Sequence, residues 1–370
     1  MSERKTTIYS VLLIAGALLL VLYLVEQSGM FGFSVLPDRL AWLLLLLLGA
    51  AVMGTVFEPL VKERFPKQDT DAIKKEPARL LTDYETLAGY YPVAFLAIVA
   101  GSLLSTTFLF GGPEAIFRVA SVPVFWLAAV LSGILNIFIF FFGTKALRYG
   151  DLSLVSVTAG VAPLLTLPIS FATYQLFGDF APLQSPDVTT AGLVGISFVV
   201  GALAVNVLAE RTQGSPPSAP KGDWFAHHPV ISGILSASIA SVALNLDKVA
   251  VEAGNPFLFS IVVTLIVAGG TCCFTLVRSG IQRLAFMWKT YRPSYLIVGT
   301  VYGVLVLVMA LTLWGENVNY QGTIKRLSMV FATFYGAWVL GEGGTLKTKI
   351  VRIVVAVMAV LGIVLITVWG

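Results

Sequence analysis

Long, nearly uninterrupted apolar runs separated by short polar stretches set the pattern of this chain. Eleven runs are long enough to cross a bilayer as α-helices, because a helix needs about 20 residues to span the hydrocarbon core. They lie near 7–25, 40–61, 88–110, 122–146, 151–177, 188–208, 229–251, 257–279, 294–313, 318–340 and 350–369. The runs are continuous, without the alternation of membrane β-strands. The pattern therefore predicts an all-α polytopic membrane protein with about eleven transmembrane helices.

The composition agrees with this class and excludes others. Of the 370 residues, 57% are hydrophobic and only 12% are charged, whereas soluble globular domains carry about 25% charged residues. The net charge of +4 is small and spread over loops, unlike the clustered basic patch of nucleic-acid-binding proteins. We therefore expect the lipid bilayer as a partner, and no nucleic acid.

Basic residues are concentrated in alternate loops between the predicted spans. Loop 62–87 contains six Lys and Arg residues and loop 278–293 contains four, whereas the intervening loops contain only Arg39 and Arg118. Loops rich in Lys and Arg remain on the cytoplasmic side of a membrane. The sequence thus predicts a multi-pass protein of the cell (inner) membrane, with its N-terminus in the cytoplasm and its C-terminus outside.

Two parts of the chain look like copies of each other. Matching Gly178-Asp179 to Gly341-Glu342 gives an offset of 163 residues, which also aligns the starts of two predicted spans. Each half then contains five spans, and since five is odd, the second copy must be inverted relative to the first. Inverted repeats with a site between them are typical of secondary transporters. Chance similarity of apolar helices is the alternative.

The repeat divides the chain into four parts. These are an extra N-terminal helix in 1–39, a first repeat in 40–210 that includes the charged loop 62–87, a Pro/Ser-rich linker in 211–228, and a second repeat in 229–370.

Two adjacent cations, Lys325 and Arg326, enter the predicted span "TIKRLSMVFATFYGAWVLGE". Lys325 lies about 10 Å along the helix from its start, where a buried cation costs about 3 kcal/mol. Snorkelling to the headgroups would explain one of them. For both, we expect a polar cavity, with Asn319 on the same helix face as Arg326. Such a cavity suits a carboxylate or phosphate, which the Arg guanidinium binds well.

Further polar residues lie inside predicted spans. Asn245, Asp247 and Lys248 occur in "ALNLDKVAVEAGNP", and Asn136 lies in the middle of its span. The first three are candidates for the substrate cavity or for a satisfied helix end, since Lys248 is spaced i, i+4 from Glu252. Asn136 is a candidate for substrate contact or for a hydrogen bond between helices.

Gly160, Pro163 and Pro168 interrupt the span 151–177. Each proline removes an intrahelical hydrogen bond and frees a carbonyl. We interpret the three residues as a hinge or cavity wall, with a simple packing kink as the alternative.

Charges at the ends of spans have simpler explanations. Glu58 and Lys62 are spaced as a surface ion pair. Lys145 and Arg148 are expected to be anchors at the cytoplasmic surface, with a role as substrate ligands as the alternative. Glu342 is expected to be a helix-end charge.

The sequence contains no nucleotide-binding loop, no metal-binding spacing of His, Cys, Asp and Glu, and no Ser-His-Asp arrangement. The sequence therefore predicts no catalytic residues, no metal site and no cofactor, and the protein is expected not to be an enzyme.

Two stretches carry a family resemblance, "GTKALRYGDLSLVSVTAGVAPLLTLPISFATYQLFGD" and "QGTIKRLSMVFATFYGAWVLGE". They are similar to the drug/metabolite transporter superfamily, in particular ten-helix transporters of the EamA type, over about residues 40–370. The resemblance implies a secondary carrier with a 5+5 inverted repeat and a central cavity. In sugar-phosphate carriers of this superfamily a basic pair grips phosphate, and here the pair is Lys325 and Arg326. The extra N-terminal helix and the long loop 62–87 depart from the family.

The sequence thus predicts a secondary active transporter of a small polar metabolite, anionic if Lys325 and Arg326 bind it. A proton or counter-substrate as coupling partner and a homodimeric state are both compatible with this hypothesis. The alternative is a translocase or accessory subunit for lipid-linked precursors, in which a partner would use the added helix.

Overall fold

A computed structural model describes residues 48–65, 81–109, 112–117, 122–177, 223–313, 328–342 and 345–369, with pieces of one to three residues between 190 and 205. All the regular structure assigned to these residues is helical. The all-α prediction is therefore confirmed for this part of the chain. The N-terminal helix predicted in 1–39, the linker 211–222, and Asn319, Lys325 and Arg326 lie outside the described residues.

Eight helical elements build the described fold. In chain order they are α1 (48–64), α2 (Asp83–Leu109), α3 (Pro123–Tyr149), α4 (152–177), α5 (Pro229–Ala253), α6 (Pro256–Leu313), α7 (328–339) and α8 (Leu346–Trp369). Two short helical turns, Pro113–Ile116 and Trp224–His227, precede α3 and α5.

Among the described residues, four helices are long and apolar enough to cross a membrane: Asp83–Thr107 of α2, together with α3, α5 and α6. Large apolar side chains such as Leu96, Val277 and Ile281 are exposed on their surfaces. A soluble protein rarely exposes such side chains in contiguous patches, whereas lipid chains accept them. These features are consistent with a membrane location.

Helix α6 consists of two arms. Gly280 has φ +77° and ψ 165°, which breaks the helix into α6a (256–279) and α6b (281–313). The sequence predicts a loop over 278–293, but the structure continues as helix from 281. Arg283 in this extension forms two hydrogen bonds to the Glu85 carboxylate, at 2.9 and 3.1 Å, which ties the arm to α2.

Helix α2 begins earlier than the apolar run indicates. The Thr82 amide donates to Glu85 Oε2 at 2.9 Å, and the Glu85 amide donates to Thr82 Oγ1 at 3.3 Å. This reciprocal pair is a capping box, which satisfies two amides that a helix start leaves without partners. The "TDYE" stretch carries that signal.

Three helices change geometry along their length. Helix α1 contains a π-helical segment at Met53–Phe57, α7 contains one at Tyr335–Val339, and α4 passes through a 3₁₀ segment at Ser156–Gly160 before it continues as Val161–Phe177. Short segments of this kind frequently mark functional positions.

Glycines allow the helices to approach closely. A Cβ atom at Gly299 of α6b would lie 2.5 Å from the Tyr90 carbonyl oxygen of α2, and one at Gly303 would lie 2.8 Å from the Ala94 carbonyl oxygen. The two glycines are spaced i, i+4, as in the small-residue stripes through which membrane helices pack. The α2–α6b contact therefore depends on the absence of side chains at these positions.

We expect Gly299→Ala to lower the midpoint of thermal unfolding in detergent, because the added methyl group meets backbone on the facing helix. Overpacking of this kind costs about 1–3 kcal/mol. Gly269→Ala in α6a is the matched control, since a Cβ there would have no neighbour within 4 Å. Equal melting points for the two variants would contradict this account of the interface.

Candidate functional site

A cavity of about 270 Å³ lies inside the bundle, with residues of α1, α2, α3, α4, α5 and both arms of α6 around it. Its wall is mostly apolar, with a small number of polar side chains. A concave, largely apolar pocket with a few convergent polar groups is the usual form of a small-molecule site. This cavity is the candidate substrate site.

The polar part of the wall includes two of the residues that the sequence selected. Asp247 of α5 and Asn136 of α3 both line the cavity, and Glu58 of α1 lines it as well. The Ser132 hydroxyl of α3 donates to Asp247 Oδ1. Asn136 Nδ2 donates to the Ser132 carbonyl at 2.9 Å and to its hydroxyl at 3.1 Å. Ser132 thus connects the amide and the carboxylate across two helices.

An aromatic cluster forms another part of the wall. The rings of Tyr91 and Tyr302 lie 5.2 Å apart between centroids, and Phe140 is 5.2 Å from each of them. Phe57 lies 5.0 Å from Tyr302. All four residues line the cavity. Because these rings come from α1, α2, α3 and α6b, they fix the relative positions of the helices that surround the site.

Asn245 and Lys248 are engaged in contacts between and within helices. The Ser170 hydroxyl of α4 donates to Asn245 Oδ1 at 2.7 Å, which links α4 to α5. The Lys248 ammonium pairs with Glu252 and donates to the Leu313 carbonyl at 3.1 Å. Neither residue belongs to the described lining of the cavity. Their role in substrate binding stays a prediction, as does that of Asn319, Lys325 and Arg326.

The residues predicted as a hinge lie at and after the 3₁₀ segment of α4. Gly160 ends this segment, Pro163 falls in the first turn of the α-helix that follows, and Pro168 lies within that helix. Because Pro163 has no amide hydrogen, the helix cannot form the usual bond to the Ala159 carbonyl. Ala159 and Thr158 line the cavity, so the irregular backbone borders the site, where such backbone is tolerated in membrane helices.

At one end of the bundle, five residues form a cluster that we call the latch: Lys62, Asp151, Ser153, Glu342 and Arg352. The Glu342 carboxylate pairs with the Lys62 ammonium and accepts from the Leu152 amide at 2.9 Å. It also accepts from the Ser153 amide at 2.8 Å and from the Ser153 hydroxyl at 2.9 Å. Arg352 donates to Asp151 Oδ2 at 2.9 Å and to Ser153 Oγ at 2.5 Å. The latch connects α1, the start of α4, and the α7–α8 region.

Sequence reasoning missed the latch. It treated Lys62 as the partner of Glu58 and Glu342 as an isolated helix-end charge, but the Lys62 ammonium pairs with Glu342 and donates to the Gly150 carbonyl at 2.9 Å. Gly336 is also part of this arrangement, but its importance is visible only in the folded structure. A Cβ there would lie 2.6 Å from Glu342 Oε2 and 2.8 Å from the Ser153 amide, so the absence of a side chain lets the carboxylate reach α4.

Arg148 is enclosed by other parts of the chain, so its guanidinium pairs within the protein. It is 1% exposed, and its guanidinium donates to Asp83 Oδ1 at 2.7 Å and to the Leu81 carbonyl at 2.6 Å. Lys145, which the sequence also assigns to the surface, pairs with Asp223 at 2.5 Å. The acidic partners of both residues come from elements outside α3, so spacing within the span could not indicate them.

Comparisons with known proteins bear on the fold. No family model matches the chain, and no curated protein matches it. A solved structure described as "Crystal structure of protein" is similar to it with a TM-score of 0.50 and 13% sequence identity. The match covers 86% of this chain and 96% of that chain. At this identity the similarity concerns the fold alone.

We expect Glu342→Gln to destabilise the protein by about 3–5 kcal/mol, because the substitution leaves the Lys62 ammonium in a poorly hydrated position without its carboxylate. The measurement is the midpoint of thermal unfolding in detergent. Glu114→Gln, which changes an exposed carboxylate in the 113–116 turn, is the control.

A second substitution separates the ion pair from the hydrogen bonds to α4. Adding Lys62→Met to Glu342→Gln removes the isolated cation, so the double variant should melt above Glu342→Gln alone. If Glu342→Gln and Glu114→Gln have the same melting point, the latch does not stabilise this end of the bundle.

Proposed function

We propose that this protein is a secondary active transporter that moves a small polar solute by alternating access. The observation that carries the proposal is the cavity lined by membrane-length helices, with Asp247 and Asn136 in its wall. Ionisable and polar side chains inside membrane helices are costly and mark substrate or ion pathways. A cavity of this kind between helices of two halves is where secondary transporters bind their solutes.

Reciprocal packing between the halves supports a 5+5 inverted repeat. Helix α2 packs on α6b, and in the same manner α3 packs on α6a, where a Cβ at Gly133 would lie 2.9 Å from Ile266. If the chain is divided at the linker, each pair joins the second helix of one half to the third helix of the other. This exchange is expected of two copies related by a twofold axis.

The other helices follow the same rule. Helix α1 packs on α7 at Gly54, where a Cβ atom would lie 2.4 Å from the Ser328 carbonyl oxygen. Helix α5 packs on the 3₁₀ segment of α4 at Gly233, where a Cβ atom would lie 2.3 Å from Thr158 Oγ1. Each pair joins the first helix of one half to the fourth helix of the other. About eleven spans, with one extra helix before the repeats, complete the proposed architecture.

The irregular helices supply the places where such a protein can bend. The 3₁₀ segment of α4 and the π segment of α7 lie in the two fourth helices. These helices adjoin each other, since Ser156 of the 3₁₀ segment shares a hydrogen bond of 3.0 Å with Thr333, two residues before the π segment. Interrupted helices at the contact between repeats are a common feature of transporters. We propose that α4 bends at Gly160 and Pro163 during the cycle.

The position of the latch supports a proposal for how the cavity opens to the cytoplasm. Val61 and Val155 line the cavity, and the adjoining Lys62 and Ser153 belong to the latch, so the latch lies at one end of the cavity. By the distribution of basic loops this end faces the cytoplasm. In the proposed cycle, inward opening separates the Glu342 carboxylate from Lys62 and from the start of α4.

The resemblance of the sequence to EamA-type drug/metabolite transporters supports the same function. It predicts the arrangement of two five-helix repeats around a central cavity and a location in the cell (inner) membrane. The similar solved structure adds no substrate to this proposal.

Uptake and exchange by purified protein in proteoliposomes test the proposal. The panel contains amines, amino acids, carboxylates and phosphates, and we expect saturable transport of at least one class. Transport of none, in uptake or in counterflow, contradicts it. Co-purified lipid in a laterally open cavity would then favour the translocase alternative.

A cavity-filling substitution makes the test specific to the site. Ala240 lines the cavity, and we expect Ala240→Trp to reduce transport by at least about tenfold because the indole occupies the solute's space. Ala100→Trp adds the same ring at an exposed position on α2 and serves as control. Size-exclusion profiles establish that both variants are folded. Equal transport by the two variants would show that the solute does not pass through this cavity.

Neutralising Lys325 and Arg326 together is expected to abolish transport while the protein stays folded, because two cations inside a span are tolerated where they meet polar groups of a cavity. Lys347→Met with Lys349→Met removes two charges from the first turn of α8 and is the control. Unchanged apparent affinity and rate would favour snorkelling of the two side chains to the headgroups.

A further inference from the structure

A charged helical segment, residues 281–293, directly follows the break in α6, and we call it the basic helix. One of its faces packs on the protein. Met287 is 0% exposed and belongs to a hydrophobic cluster of the core, and Leu284, Trp288 and Tyr291 pack against that cluster. These four positions are spaced i, i+3, i+4 and i+7, which places them on a single face of a helix. The basic helix is therefore attached to the bundle along an apolar side.

The opposite face of the basic helix is exposed and carries both cations and apolar side chains. Its exposed residues at helical spacing are Gln282, Ala285, Phe286, Lys289 and Arg292. Phe286 is 37% exposed, and Ile281 at the start of the segment is 73% exposed. Amphipathic helices that combine Lys and Arg with exposed Phe or Leu lie in the plane of a membrane interface. The composition of this face is thus typical of a surface that meets lipid headgroups.

Three exposed cations of this region have no acidic partner in the part of the chain that the structure describes. Arg278, Lys289 and Arg292 are exposed, and within the described residues none of them lies within 4.0 Å of a carboxylate. The Arg278 guanidinium lies over the Tyr84 ring, 5.5 Å from its centroid, at the start of α2. Other basic residues of the described structure pair with carboxylates of the protein: Lys62, Lys145, Arg148, Lys248, Arg283 and Arg352. The three exposed cations are therefore available to an anionic partner outside the protein.

Exposed apolar side chains flank the basic helix on both sides. Val277 before it is 89% exposed, and Leu296 and Ile297 after it are 43% and 39% exposed. Apolar surface of this kind is expected to face lipid chains. The distribution of basic loops predicts the cytoplasmic side for 278–293, so we expect the basic helix at the level of the cytoplasmic headgroups. That leaflet surface is negatively charged and attracts basic segments next to membrane helices.

From these observations we infer that the basic helix binds anionic phospholipids of the cytoplasmic leaflet. Arg278, Lys289 and Arg292 receive the phosphate groups of the lipids by charge-assisted hydrogen bonds. Ile281 and Phe286 lie at the boundary between headgroups and acyl chains. These apolar contacts favour a phospholipid over a free phosphate ion, which would meet the cations alone. The inference does not depend on the proposed transport function.

Spin-labelled lipids test the preference for an anionic headgroup. The full-length protein is placed in phosphatidylcholine vesicles with a small fraction of spin-labelled phosphatidylglycerol or spin-labelled phosphatidylcholine, and electron spin resonance gives the fraction of each held at the protein. We expect phosphatidylglycerol to associate at least about fivefold more strongly, which is the contribution of one basic residue near an anionic surface. Raising the salt concentration from about 0.1 M to about 1 M should reduce this preference, because salt screens exposed charges.

Variants identify the residues that hold the lipid. Lys289→Gln with Arg292→Gln removes two exposed charges from the basic helix and should lower the preference for phosphatidylglycerol by at least about threefold. Lys347→Gln with Lys349→Gln removes the same charge from the first turn of α8 and is the matched control, which should leave the preference unchanged. Glycerol phosphate added in excess should not displace the spin-labelled lipid, because it cannot make the apolar contacts.

A phosphatidylglycerol with a photoreactive acyl chain locates the contact on the unmodified protein. After irradiation of the vesicles, peptide mapping should find the lipid attached within residues 274–297. The first turn of α8 should carry much less of it. This measurement needs no substitution, so it decides the question even if the double variant does not fold.

Several results would overturn the inference. Equal association of the two spin-labelled lipids shows that the protein has no preference for an anionic headgroup. An equal loss of preference in the two double variants shows that any cytoplasmic cation attracts the lipid and that the basic helix has no special part. Displacement by glycerol phosphate shows a site for soluble phosphate instead of a lipid surface. Crosslinks that avoid residues 274–297 place the lipid elsewhere on the protein.

Discussion

The Glu342 carboxylate joins segments that are 280 and 190 residues apart in sequence, through Lys62 and the Leu152 amide. Inside an apolar bundle, a charge is stable only where an opposite charge or several N–H groups replace its water. Glu342 meets that requirement with the first amides of α4, which lack partners at a helix start and carry the positive end of the helix dipole. Arg148 meets it with Asp83 and a carbonyl. The need to satisfy each buried charge therefore sets how the ends of the helices meet.

The middle of the bundle also holds polar groups. Glu58 and Asp247 line the cavity, and the Asp247 carboxylate accepts a hydrogen bond from the Ser132 hydroxyl. The helices approach closely at Gly54, Gly233 and Gly299, and the 3₁₀ segment of α4 contributes Ser156 and Thr158 to the cavity wall. The cavity is therefore bordered both by close helix contacts and by irregular backbone.

Much of the helical framework could be predicted from the sequence, because a continuous run of about 20 apolar residues has few alternatives to a helix. The spans 122–146 and 229–251 agree closely with α3 and α5. Asn136 and Asp247 were identified as candidates because polar residues in such runs are expensive. The latch and the burial of Arg148 could not be predicted, because their partners lie in other elements and are brought together by folding. The helix that continues from 281 was missed because hydropathy does not detect a charged helix.

The two arms of α6 meet at a single residue. Gly280 adopts a positive φ, and a Cβ there would have no neighbour within 4 Å, so only backbone connects α6a, which packs on α3, to α6b, which packs on α2. Rotation about the Gly280 backbone dihedrals changes the angle between α6a and α6b without disturbing any side-chain contact at that residue. The pair α6a and α3 can therefore tilt relative to the pair α6b and α2 at this one joint.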